Sequence, residues 1–84
     1  MEFYKILNLE TGLFSRGGQD CDTNPKAWSK RGKTWNYSAH VRSHLRAYKK
    51  TRWRDSDIPE HWIVIEYSPL GNREFNAKIF YYGQ

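Results

Sequence analysis

The sequence has a single cysteine, Cys21, so no intramolecular disulfide can form, which argues against a small secreted scaffold held together by bridges. It has no apolar run of membrane-spanning length and no charged-then-apolar leader at its start. A reducing cytoplasm is therefore the expected compartment, with no membrane partner. Eighty-four residues leave no room for a second domain, and the expectation is one domain, 1–84. A domain of this size buries only about 60% of its unfolded surface, too little for a deep catalytic cleft backed by a separate substrate domain. The most telling absence is local. From Lys26 to Arg54 there are ten Lys and Arg and not one Asp or Glu, whereas the first 22 residues carry two basic against four acidic side chains.

Aromatics and positive charge are abundant. Tyr, Trp and Phe make up 17% of the chain, and each ring can bury roughly 150–250 Å², enough to build a thin core from few residues. Mean hydropathy is −0.93, the net charge is +5 and the pI about 9.5, the balance expected of a chain that meets a phosphate backbone. The basic stretch has helical order in its middle. At about 100° per residue, Tyr37, Val41, Leu45 and Tyr48 share one apolar stripe. Arg42, Arg46, Lys49 and Lys50 fall on one flank of it, and His40, Ser43, His44 and Ala47 on the other. The spacing predicts a helix from about Tyr37 to Lys50, capped by Asn36 or Ser38.

Strand patterns flank that helix. Phe3–Asn8 (FYKILN) and Leu13–Ser15 read as a hairpin turned at Glu10-Thr11-Gly12, setting Ile6 or Leu7 against Leu13 and Phe14. Arg16–Pro25 reads as a long loop whose Gly17-Gly18 pair could bring backbone N–H groups to a phosphate; with no P-loop spacing, a flexible connector is the favoured reading. Thr34-Trp35 is either a short third strand or a lead into the helix. Pro59 ends a breaker segment, His61–Tyr67 (HWIVIEY) alternates cleanly, and Glu74–Tyr82 (EFNAKIFYY) reads as its partner strand. The expected fold is α+β: an antiparallel sheet of about four strands with one amphipathic helix packed on one face. The terminal IFYYGQ would then be a sheet edge available for pairing with a second copy.

Two motifs, Thr11-Gly12-Leu13-Phe14-Ser15-Arg16-Gly17-Gly18 and Trp28-Ser29-Lys30-Arg31-Gly32-Lys33-Thr34-Trp35, precede a helix bearing His44-Leu45. Together with Lys5-Ile6, this pattern resembles a group of small bacteriophage accessory proteins with TGLFSxGG and WSKxGKxW segments. The resemblance covers about the first half of the chain. It implies a protein acting in the cytoplasm of the bacterial host on host machinery or a defence system, such as an RNA-linked toxin–antitoxin, with a host toxin or defence protein as a partner.

The residues themselves point to nucleic acid. Arg16, Lys26, Lys30, Arg31 and Lys33, interleaved with Trp28 and Trp35, combine phosphate-neutralising cations with rings that could stack a base. Arg42, Arg46, Lys49, Lys50, Arg52 and Arg54 extend the same charge. The plainer reading makes these an ordinary solvated helix face, with the two tryptophans in the core. RNA is favoured over DNA because a small sheet with exposed aromatics (Phe80 and Tyr82, or Tyr4) suits single strands, and no helix-turn-helix pair is present. His40 and His44 at i, i+4 could form a metal edge with Cys21 or His61, or an acid–base pair with His61. The spacing lacks the Glu of the zincin motif, so no metal, cofactor or enzymatic activity is expected. The alternative class is a protein-binding inhibitor that docks its basic, aromatic helix on an acidic host enzyme without nucleic acid.

Overall fold

A computed structural model of the chain describes residues 2–17, 25–51 and 58–83. Five antiparallel strands form one sheet: β1 (Phe3–Asn8), β2 (Leu13–Ser15), β3 (Trp28–Ser29), β4 (Trp62–Tyr67) and β5 (Arg73–Asn76), in the order β3-β2-β1-β4-β5. The α+β class expected from the sequence is the observed one. The strand count is five rather than about four because Trp28–Ser29 pairs with the end of β2. The first hairpin closes as its turn chemistry requires, with Leu7 opposite Phe14. Gly12 sits at φ 73° and its N–H bonds the Asn8 carbonyl at 2.8 Å, a backbone conformation that glycine adopts without strain.

Thr34-Trp35 does not form the third strand. Trp35 instead makes an isolated bridge to Tyr4, with N–H···O distances of 2.7 and 2.9 Å, and so satisfies the part of β1 that lies beyond β2.

Alternation along β1 and β4 puts Tyr4, Ile6, Trp62 and Val64 on the inner face. Against them packs the apolar stripe of α1 (Ser38–Thr51), where Val41 and Leu45 are fully buried and Tyr48 nearly so. Burying each such side chain is worth about 1.5–3 kcal/mol, which makes this stripe the main reason α1 lies where it does. Tyr37, expected to begin the stripe, lies outside the helix and is 64% exposed. Its carbonyl accepts from the N–H groups of His40 and Val41, so Tyr37 holds the capping position in place of Asn36 or Ser38. The outer face of the sheet carries Lys5 and Leu7, with Phe3 stacked on Tyr67 at 4.9 Å and the Lys5 ammonium over the Phe14 ring. No described helix covers it.

The largest departure from expectation is at the C-terminal end. Only Arg73–Asn76 pairs with β4, and Ala77–Tyr82 then turns into a second helix, α2. Asn76 stops the strand because its Oδ1 accepts from the N–H groups of Lys78 and Ile79, a side-chain cap. Ala77 is buried, Phe80 and Tyr81 pack on the core and Ile79 is 66% exposed, a helical period rather than an alternating one. The segment expected to offer a pairing edge is therefore wound into a helix beside α1.

Candidate nucleic-acid interface

The basic flank of α1 faces α2. Arg42 is half-buried; its Nε donates to the Phe80 carbonyl at 3.4 Å, its Nη1 to the Ser38 hydroxyl at 3.2 Å, and its guanidinium lies 4.6 Å from the centre of the Phe80 ring. A cation on one of the last carbonyls of α2 also meets the negative end of that short helix. Lys49 donates to the Tyr82 hydroxyl and lies 4.5 Å from the Tyr82 ring centre. Between them Arg46 is exposed. Arg42, Ser43, Arg46, Tyr81 and Tyr82 line a shallow depression. Tyr82 is 53% exposed there, so a stacking surface stands beside a free guanidinium.

None of Lys30, Arg31, Lys33, Arg42 or Arg46 is in an ion pair with another described residue. The ion pairs between described side chains are Arg73–Glu66 at 2.7 Å, Lys78–Glu60 at 3.3 Å and His61–Glu10 at 3.6 Å, none of them made by a residue of α1. Glu66 is buried and spoken for, since it also accepts from the Tyr4 hydroxyl at 3.1 Å. Burial, reinforced by that carboxylate, pushes the Tyr4 phenol above its ordinary range.

The segment from Lys26 to Trp35 does not add one continuous surface to this flank. Lys26 is exposed in the short 3-10 turn Pro25–Ala27, and its carbonyl accepts from the Arg16 guanidinium at 3.2 Å. Trp28 packs edge-on against Trp62, 5.1 Å between ring centres. Lys30 and Arg31 are exposed, but the Arg31 carbonyl is held by the Lys5 ammonium at 2.6 Å, and Lys5 points from the opposite face of the sheet to α1. Gly32 makes the turn between them. At φ 67° its amide donates to the Ser29 hydroxyl, and a Cβ there would lie 2.3 Å from Phe14 Cβ, so only glycine fits. Trp35 is 5% exposed and belongs to the core, which removes it as an open stacking platform. Tyr4 is likewise buried, and Phe80 is half-buried. Lys50 lies in α1 by its backbone; Arg52, Arg54, Cys21 and Gly18 lie outside the described residues.

Lys33 does return to α1. With Gly17, Trp35, Tyr37, His40, Ser43 and His44 it lines a second depression, on the other flank of the helix. Its ammonium lies 5.3 Å from the Trp35 ring centre, and that ring lies 5.3 Å from the His44 imidazole. His44 Nε2 is buried without a hydrogen-bond partner among the described residues, an arrangement that costs about 1–3 kcal/mol. Burial, and next the charge of Lys33, hold the imidazole pKa below its usual value, so the ring is neutral. His61 is elsewhere, against Glu10, and no cluster of three or more His, Cys, Asp or Glu occurs among the described residues.

The sequence offered Tyr82 as an exposed strand aromatic but neither Tyr81 nor a helix carrying the two tyrosines beside α1, because Phe75, Ala77, Ile79 and Tyr81 read as an alternating strand. The signal was Asn76 followed two residues later by Lys78, a capping residue at the head of a helical period. No protein-family model matches the chain, and no curated protein or solved structure does either.

Proposed function

We propose that this chain binds nucleic acid, RNA in preference to duplex DNA, through the outer side of α1 and the adjoining edge of α2, without a chemical step. The observation that carries the reading is the exposed Arg46, with no acidic partner among the described residues, set beside the exposed ring of Tyr82. Cation and ring at one depression suit a phosphate and its neighbouring base. A single long helix with no partner recognition helix among the described residues favours single-stranded or looped RNA over a duplex groove. Lys33 extends the positive field along α1, and Lys30 and Arg31 add charge at the sheet's far edge. The motif resemblance to phage accessory proteins supports a role in interfering with a bacterial host or its defence, where an RNA-linked toxin–antitoxin is a fitting target.

Binding of the purified protein to labelled single-stranded RNA and to duplex DNA over a salt series tests this. The expected result is tighter RNA binding whose log affinity falls with log salt by roughly 0.7 per neutralised phosphate. Absence of RNA binding at low salt, with nuclease-insensitive capture of an acidic host protein, would replace it with the protein-docking alternative.

A further inference from the structure

The two depressions lie on the two flanks of α1 and share Ser43, so they are neighbouring stations across its exposed surface. Arg46 and His40 are six residues apart, roughly 9 Å along the axis. The station between Lys33 and His44 differs in chemistry from the Arg46 groove. Its rim carries one ammonium, its back wall is the buried Trp35, and His44 lies at its floor, with Nε2 buried beneath the surface and without a hydrogen-bond partner among the described residues. Tyr37 stands at the opening, 64% exposed and edge-on to His40 at 5.1 Å.

We propose that this pocket is a nucleotide subsite, taking one unstacked base of a bound RNA against His44 while Lys33 holds that nucleotide's phosphate. The inference rests on the RNA-binding reading above and gives it a point of base recognition. A single unpaired imidazole nitrogen offers either an N–H or a lone pair according to tautomer. A base edge carries both donors and acceptors and can answer either; a bare phosphate supplies acceptors only. The exposed Tyr37 ring offers the stacking face that a splayed base requires, and Ser43 adds a hydroxyl that can donate or accept. Sequence preference would then come from this pocket and affinity from the cations around it, the division of labour usual at such interfaces.

The test is titration of the full-length protein with the four 5′-nucleoside monophosphates, the matching nucleosides and inorganic phosphate. The His44 imidazole nitrogens are followed by NMR, and a short single-stranded RNA is measured in parallel. The expected result is a shift of the His44 ring resonances that is larger with nucleotides than with nucleosides or phosphate and that differs among bases. His44→Phe keeps a ring and removes the nitrogens; it should weaken the preferred nucleotide about tenfold, the loss of one buried hydrogen bond, while leaving the salt slope of RNA binding unchanged. Lys33→Gln should weaken nucleotides and phosphate but not nucleosides. Equal shifts with inorganic phosphate and nucleotide would overturn the subsite and leave an anion site only. No shift at millimolar nucleotide, with salt-steep RNA binding intact, would overturn the subsite and spare the interface. No binding of either kind would remove both. The wild-type titration decides even if a variant fails to fold.

Discussion

The two flanks of α1 carry polar residues in similar number but use them differently. On the α2 side, Arg42 and Lys49 lie over aromatic rings and donate to α2, one to a backbone carbonyl and one to a phenol. On the loop side, His44 is neutral, unpaired and walled by Trp35 and Lys33. One flank therefore uses charge to fasten a second helix, and the other keeps a polar atom unsatisfied at the bottom of a pocket. Among the described side chains of the first flank, the exposed Arg46 is the cation with neither duty. Charge counted along a helix thus overstates the charge available to a ligand. Arg42 and Lys49 are held by the fold, whereas Arg46 and Lys33 are not held by ion pairs with described residues.

This contrast can be tested by separating stability from binding. The largest stability effect should come from the side common to both flanks. Leu45→Ala opens a cavity under α1 and should cost about 2–5 kcal/mol in chemical denaturation. Gly32→Ala forces a β-carbon into Phe14 at a positive φ and should cost about 1–3 kcal/mol or unfold the β2–β3 edge, visible as lost protection in hydrogen exchange. Asn76→Ala removes the cap of α2 and should cost about 1 kcal/mol; because α2 holds Arg42 and Lys49, it should loosen the first flank and leave the His44 resonances unmoved. Arg46→Gln should change stability by no more than about 0.5 kcal/mol, yet reduce the salt slope of RNA binding by about 0.7.

A pH dependence isolates the second flank. His44 binds its proton less readily in the folded chain than at the ordinary value of 6.5. The unfolded chain therefore holds more protons as pH falls below about 6.5. Its contribution to stability is full above that pH and is lost as pH drops toward the lower folded pKa. His44→Phe should flatten this part of the stability–pH curve, measured by thermal melts from about pH 7 to pH 5.5. An unchanged slope would mean that His44 is not the buried neutral group.

Much of the frame was legible because period and burial agree. Val41, Leu45 and Tyr48 had to face a core, and Trp62, Val64 and Glu66 had to share a strand face. The first hairpin followed from Gly12. The Trp28–Trp35 motif was legible as a unit but not in its purpose. Its glycine turns against Phe14, Ser29 ties that turn, and both tryptophans pack inward, so residues that suggested ligand binding are largely accounted for by folding. The C-terminal helix was not legible from alternation, because Phe75, Ala77, Ile79 and Tyr81 satisfy a two-residue period until Asn76 caps the chain. Tertiary proximity, which brings Lys33 to His44 and Tyr82 to Lys49, is invisible to any local period.

Whether the outer side of α1 carries the ligand is decided by RNA binding across a salt series for the wild-type chain and for Arg46→Gln with Lys33→Gln. The salt slope should become shallower by about 1.4, two phosphate contacts, with an unchanged melting temperature. An unchanged slope with intact folding would mean that the outer side of α1 does not carry the ligand.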